Sequence, residues 1–283
     1  MTTNADNCQN TISGNYCHVC GEKRFETGDL KFSRVITDIT HSATDLDGKV
    51  LKSFKLLLLK PGQLTRDYLS GKRVSLLTPF RLFLFVNVFY FIVASLVGQN
   101  SFTTNLTVHM NANNFFHSEI AQHLVETHIT TNNIELKDFS ESFNDLQKIQ
   151  AKVFIALMIP MLAFVVWLVS MKHNHAALTA WVFSTHVFSM ALLMFIWVLP
   201  LVYYILAFAA DIAGLKLTNL ASEWAMTSVL LGGIGLYAFV GFKKVYDSAF
   251  YINGLRAIVF VVGFYYALLC YRMLLFFITF YTV

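Results

Sequence analysis

Charged side chains are scarce: 13% of the 283 residues, where a water-soluble domain carries roughly a quarter. The shortage is concentrated after residue 75. That excludes one soluble globule and implies two parts in two solvents. Cysteine is too sparse for a disulfide framework. Cys8, Cys17 and Cys20 sit in a polar head and Cys270 stands alone in an apolar run, and a C-x-x-C in a basic head suits a reducing, cytosolic compartment. MTTNADNCQN has neither a basic n-region nor an apolar h-region, so no cleaved signal peptide is expected. No H-E-x-x-H, G-x-S-x-G or Walker sequence occurs, which removes the simplest support for hydrolytic or nucleotide chemistry. "DLDGK", Asp45 to Lys49, resembles a phosphatase nucleophile motif, but no apolar strand precedes it and it reads as a turn. "NLT" at Asn105 is a glycosylation acceptor only in a eukaryotic host. No nucleic-acid partner is expected.

What is present in quantity is apolar sequence, 56% of the chain with mean hydropathy +0.56. A helix crossing a hydrocarbon core of roughly 30 Å needs about 20 apolar residues. Five stretches meet that need: 79–97, 153–170, 176–210, 226–242 and 257–283. The third is too long for one upright span, and reads as a long helix kinked near Pro200 or as two short ones. Charge placement decides between five spans and six. Twelve of the 21 Lys and Arg fall in the first 81 residues, and inner loops collect such residues. Five spans place that head, Lys172 and the stretch with Lys243, Lys244 and Arg256 inside. They leave the acidic loop 98–151 (Glu119, Glu126, Glu135, Asp138, Glu141, Asp145) outside. The expected fold is therefore an all-α integral membrane protein with its N-terminus cytoplasmic and its C-terminus extracytoplasmic. Its expected parts are a zinc-ribbon-like knuckle (1–27), amphipathic basic juxtamembrane helices (28–75) and a transmembrane domain (76–283).

The head carries two apolar stripes at helical spacing. Phe32, Val35, Ile36, Ile39, Ala43 and Leu46 form one; Val50, Leu51, Phe54, Leu57 and Leu58, opposite Lys49, Lys52 and Lys55, form the other. Pro61-Gly62 stops the second helix. A basic amphipathic helix before a span, continued by Lys60, Lys72 and Arg73, is what an anionic bilayer surface attracts. Packing against the spans is the alternative.

"KLLLLKPGQLTRDYLSGKRVSLLTPFRLFLFVNVFYF", Lys55 to Phe91, resembles bacterial inner-membrane proteins grouped as domain of unknown function 3667. The matching pattern is a leucine run, Pro61-Gly62, Tyr68, Gly71-Lys72-Arg73, and Pro79-Phe80 opening the first span. "WVFSTHVFSMALL" with His186 and "GLYAFVGFKKVY" look similar to later blocks. The resemblance implies a multi-pass membrane fold and an N-terminal four-cysteine ribbon, and brings no established activity. Here Thr11 stands where the second cysteine is expected. Structural zinc takes four tetrahedral ligands, so Cys8, Cys17 and Cys20 would need a fourth: His18, His41 or another chain. A metal-free hairpin held through Tyr16 is the other reading.

Two ionisable groups fall within spans, where charge is costly. Arg272 either snorkels or pairs with Asp211 or Glu223; His186 reads as a hydrogen-bonded core histidine before a polar pathway. His109, His117, His123 and His128 lack metal-site spacing. They read as solvated groups on two short helices, whose apolar stripes are Phe116, Ile120, Leu124 and Phe139, Phe143, Leu146. The function expected is a non-enzymatic membrane adaptor or regulator that docks a protein partner through its cytosolic head. The alternative is a carrier for a small solute or lipid, for which a homo-oligomer would offset the absence of an internal repeat. An intramembrane enzyme ranks third, since none of the five spans holds a carboxylate.

Overall fold

In a solvent without water, an apolar run satisfies its own peptide groups only as a helix or a closed barrel. These runs, dense in leucine and phenylalanine, are helical throughout the computed structural model, which describes residues 8, 10, 17, 19, 46–97, 102–111, 114–171, 176–212 and 223–283. Helix α1 covers Leu46–Leu59 and α2 covers Gln63–Leu69. Helix α3 (Pro79–Leu96) is the first span. Helices α4 (Leu106–Met110) and α5 (Ser118–Asn132) follow, and α6 (Leu136–Phe154) leads into α7 (Met158–Ser170). Helix α8 (Ala176–Leu193) leads into α9 (Leu199–Ile212); α10 is Glu223–Tyr246 and α11 is Phe250–Phe280. Among the described residues, five helices are long and apolar enough to cross a membrane: Pro79–Leu96, Leu136–Ser170, Ala176–Ile205, Met226–Tyr246 and Phe250–Phe280. The chain is an all-α, multi-pass membrane protein, and its exposed leucines, phenylalanines and valines make the contact with the bilayer.

Helix α8 is the axle of the bundle. From Val182 to Ser189 every side chain is buried, the polar Ser184, Thr185, His186 and Ser189 included. It pairs with α7, and packs on α3, α2 and α10. The packing is aromatic. Phe183 stacks on Phe242 at 4.5 Å, and Phe83 on Phe188 at 5.9 Å. Gly263 lets α11 close on α7, since a Cβ there would meet Val165 at 2.6 Å.

Two departures from α geometry sit just before prolines inside long helices. The 3₁₀ turn Ile155–Leu157 precedes Pro160, and the π turn Met194–Val198 precedes Pro200. Each proline removes the N–H that would bond the carbonyl four residues earlier and crowds that carbonyl, so the backbone rewinds there. The third apolar run is thus one long helix with a π turn, not two folded back. The second span likewise continues the loop helix without a break, because no breaker separates the Phe139 stripe from Val153.

Other boundaries differ from the sequence reading. The last helix begins at Phe250 rather than Ala257, so Arg256 lies in its second turn, 7% exposed, instead of in a loop. Its guanidinium is solvated by neutral groups: Nε donates to Val169 O at 3.2 Å and Nη1 to Ser248 Oγ and Asn253 Oδ1, over the Tyr246 ring at 4.8 Å. In α1 the buried face is Ser53 and Leu57, while Leu51 is 72% exposed. The stripe is rotated because Ser53 Oγ accepts the Leu77 N–H. In α5 the buried residues are Ser118, Ala121 and Val125; Phe116 and Ile120 face outward, since small side chains let the helix come close to its neighbours. The "DLDGK" stretch is helical from Leu46. The helical stripe Phe32 to Ala43 lies outside the described residues.

Candidate functional site

The segment with the most specific sequence pattern folds as a bracket bolted to the spans. Its corner is Pro61-Gly62. Gly62 has φ +76°, a left-handed conformation that suits glycine. A Cβ there would sit 2.8 Å from both Cα and O of Gly241. Gly241 in turn leaves room for the Phe183 ring, 2.8 Å from where its own Cβ would be. The bracket, α10 and α8 are therefore layered through two glycines.

Polar contacts lock the same joint. The Tyr237 hydroxyl donates to Leu57 O at 2.8 Å, satisfying one of the carbonyls that the end of α1 leaves open. Thr65 of α2 meets His186 of α8, Oγ1 to Nδ1, at 2.8 Å, both groups buried. His186 is thus a hydrogen-bonded core histidine, tied to a threonine 121 residues away. Nothing in the local sequence names that partner. The Nε2 atom of His186 is buried and makes no hydrogen bond among the described residues.

The rest of the pattern closes the turn after α2. Gly71 has φ +88°. Arg73 folds back, its guanidinium 4.9 Å over the Tyr68 ring and its Nε donating to Tyr68 O at 3.2 Å. Lys72 approaches Asp67 at 3.9 Å, and Asp67 accepts from Gln63 at 2.7 Å. Pro79 is buried at the first turn of α3, where its missing N–H costs nothing, and Phe80 is exposed. Lys52, Lys55, Lys60, Lys72 and Arg73 are exposed and Lys49 half-buried. The exposed Lys243 and Lys244 end the helix against which Gly62 packs, with Lys244 Cβ close by. The bracket and the end of α10 thus form one basic end of the bundle.

The opposite end is acidic outside and polar within. His109 and His117 are buried, not solvated, their Nδ1 and Nε2 atoms 3.0 Å apart. Gln147 lies 3.5 Å from His109 Nε2 and accepts the Thr104 N–H. Phe115, Phe143 and Phe276 close around them. Burial lowers His109 to about 3, and the Arg272 guanidinium and any charge on His117 push the same way; burial also lowers His117. Arg272 is covered here by Phe115, 5.8 Å from its ring; the Asp211 and Glu223 side chains lie outside the described residues. His123 is exposed and His128 half-buried against Phe139. Sequence spacing misses the His109–His117 pair because a loop, not a helix face, brings the two rings together.

In the head, Cys8 and Cys17 place their sulfurs 3.5 Å apart. Two thiolates on one tetrahedral zinc lie roughly 3.8 Å apart, given Zn–S bonds of about 2.3 Å, so the pair fits a shared metal. Cys20, Thr11, His18 and His41 lie outside the described residues. Among the described residues no group of three metal-binding side chains gathers.

Residues 47–91 match the family model described as "Protein of unknown function (DUF3667)". That stretch is nearly all of α1, then α2, the Gly-Lys-Arg turn and most of α3. No curated protein and no solved structure matches the chain.

Proposed function

We propose that the protein is a non-enzymatic adaptor of a bacterial inner membrane, which presents its N-terminal cysteine head to a protein partner from a fixed basic platform. The observation that carries this reading is the bracket. Thr65–His186, Tyr237–Leu57 and the Gly62–Gly241 contact fix α1 and α2 to two spans. The head precedes α1 in the sequence, and α1 is the element that these contacts fix. The basic end lies inside by the positive-inside rule, leaving the C-terminus outside. A carrier built on His186 and Arg272 gains little: His186 is spent on Thr65, and Arg272 is capped by the loop.

The test is affinity purification of the full chain in mild detergent, wild type beside a Cys17→Ser, Cys20→Ser double variant of equal abundance. A protein that copurifies with wild type and drops out of the double variant is the expected result. Equal recovery in both would remove the head from the docking role.

A further inference from the structure

A groove of about 370 Å³ opens on the membrane-facing side between α1, α3 and the π turn. Its walls are Phe54 and Leu58 of α1, Phe89 of α3, and Met190, Met194 and Trp197 along the third span. The size falls within the roughly 300–1,000 Å³ of small-molecule sites, and every wall residue is apolar or aromatic. The π turn supplies two of those residues, and such turns often accompany functional sites. A groove set into a transmembrane surface meets lipid, not water.

Two of the helices that wall the groove also carry a cation near it in sequence. Arg81 stands four and eight residues before Phe85 and Phe89, on the same face of α3, and so about 12 Å from Phe89 along the axis. Lys55 follows Phe54 in α1. Leu77 N–H to Ser53 Oγ at 2.9 Å, and Lys52 to Ser75 at 2.6 Å, hold the middle of α1 beside the start of α3. Both cations therefore stand on the helices that wall the groove, where α1 lies beside the start of α3 and outside the apolar lining. Lys55 is exposed and Arg81 partly so, and neither forms a hydrogen bond or ion pair among the described residues. Most other cations nearby are engaged: Lys52 with Ser75, Lys72 with Asp67, Arg73 with Tyr68.

We infer that this groove holds one acyl chain of an anionic phospholipid, with Lys55 and Arg81 on its headgroup. The apolar walls take the chain and the two uncommitted cations select the charge. The inference stands apart from the adaptor reading, because the cysteine head takes no part in it.

The test is native mass spectrometry of the full chain in mild detergent, incubated with phosphatidylglycerol or with phosphatidylcholine. Wild type is expected to retain phosphatidylglycerol in preference. A Lys55→Gln, Arg81→Gln double variant should lose that preference by roughly twenty- to thirty-fold, from about fivefold for each cation at an anionic surface, with phosphatidylcholine retention unchanged. Leu58→Trp, which fills the groove from a half-exposed position, should reduce retention of both lipids while leaving thermal unfolding unchanged. Equal retention of the two lipids by wild type, or an undiminished preference in the double variant, would overturn the assignment.

Discussion

Gly62 shows how much one missing methyl group decides. Its φ of +76° and its 2.8 Å approach to the Gly241 backbone both exclude a side chain. Gly62→Ala should cost about 1–3 kcal/mol in backbone strain alone, with the clash in addition, and lower the thermal unfolding temperature in detergent. Gly232→Ala, where a Cβ meets nothing within 4 Å, should leave it unchanged or raise it. The Thr65–His186 pair makes a second prediction. Thr65→Val leaves a buried imidazole nitrogen unsatisfied, and hydrogen bonds between membrane helices average about 0.6 and reach about 1.7 kcal/mol. Unfolding measurements should show a loss of that order for Thr65→Val and little for Thr65→Ser. A double-mutant cycle with His186→Ala should be non-additive; additivity would mean the two residues act separately.

Among elements, the loop helices clamp onto the last span through a polar core that works only uncharged. His109 in α4 is held near 3 by burial, against 6.5 when unfolded. The folded state therefore binds fewer protons than the unfolded chain between those values, and stability must fall as pH drops below about 6.5. Thermal unfolding followed from neutral pH downward should show that decline, and a His109→Gln, His117→Gln variant should flatten it. A wild-type profile already flat across this range would contradict the buried, neutral pair. The stripe Phe139 and Phe143 is legible in sequence because its period is helical and both residues are large. The stripe of α5 is misread for the converse reason: its buried face is Ser118, Ala121 and Val125, and small residues give a weak periodic signal while deciding how near a helix approaches.

For the whole molecule, five spans put the two termini on opposite sides of the membrane. A reporter at Val283 that works only outside the cytosol should be active, while one at the N-terminus that works only in the cytosol should be active as well. A cytosolic signal from both ends would require an even number of spans. The bundle also gathers its formal charge by end. Lys60, Lys243 and Lys244 share one end although they are distant in sequence, and Glu141 and Asp145 lie on the loop at the other.

The number of spans, the helical class, the start of α3 at Pro79 and the basic approach to the membrane were determined by the sequence alone, because each depends on local hydropathy, proline chemistry or charge. Only the tertiary structure decided the rest. That His186 serves Thr65, that Gly62 must be bare for Gly241, that Arg256 meets the Val169 carbonyl, and that His109 and His117 face each other are all contacts between separate segments of the chain. Periodicity reports which face of a helix is apolar; it carries no record of which helix that face will meet, and it is that meeting which satisfies or excludes each buried polar group.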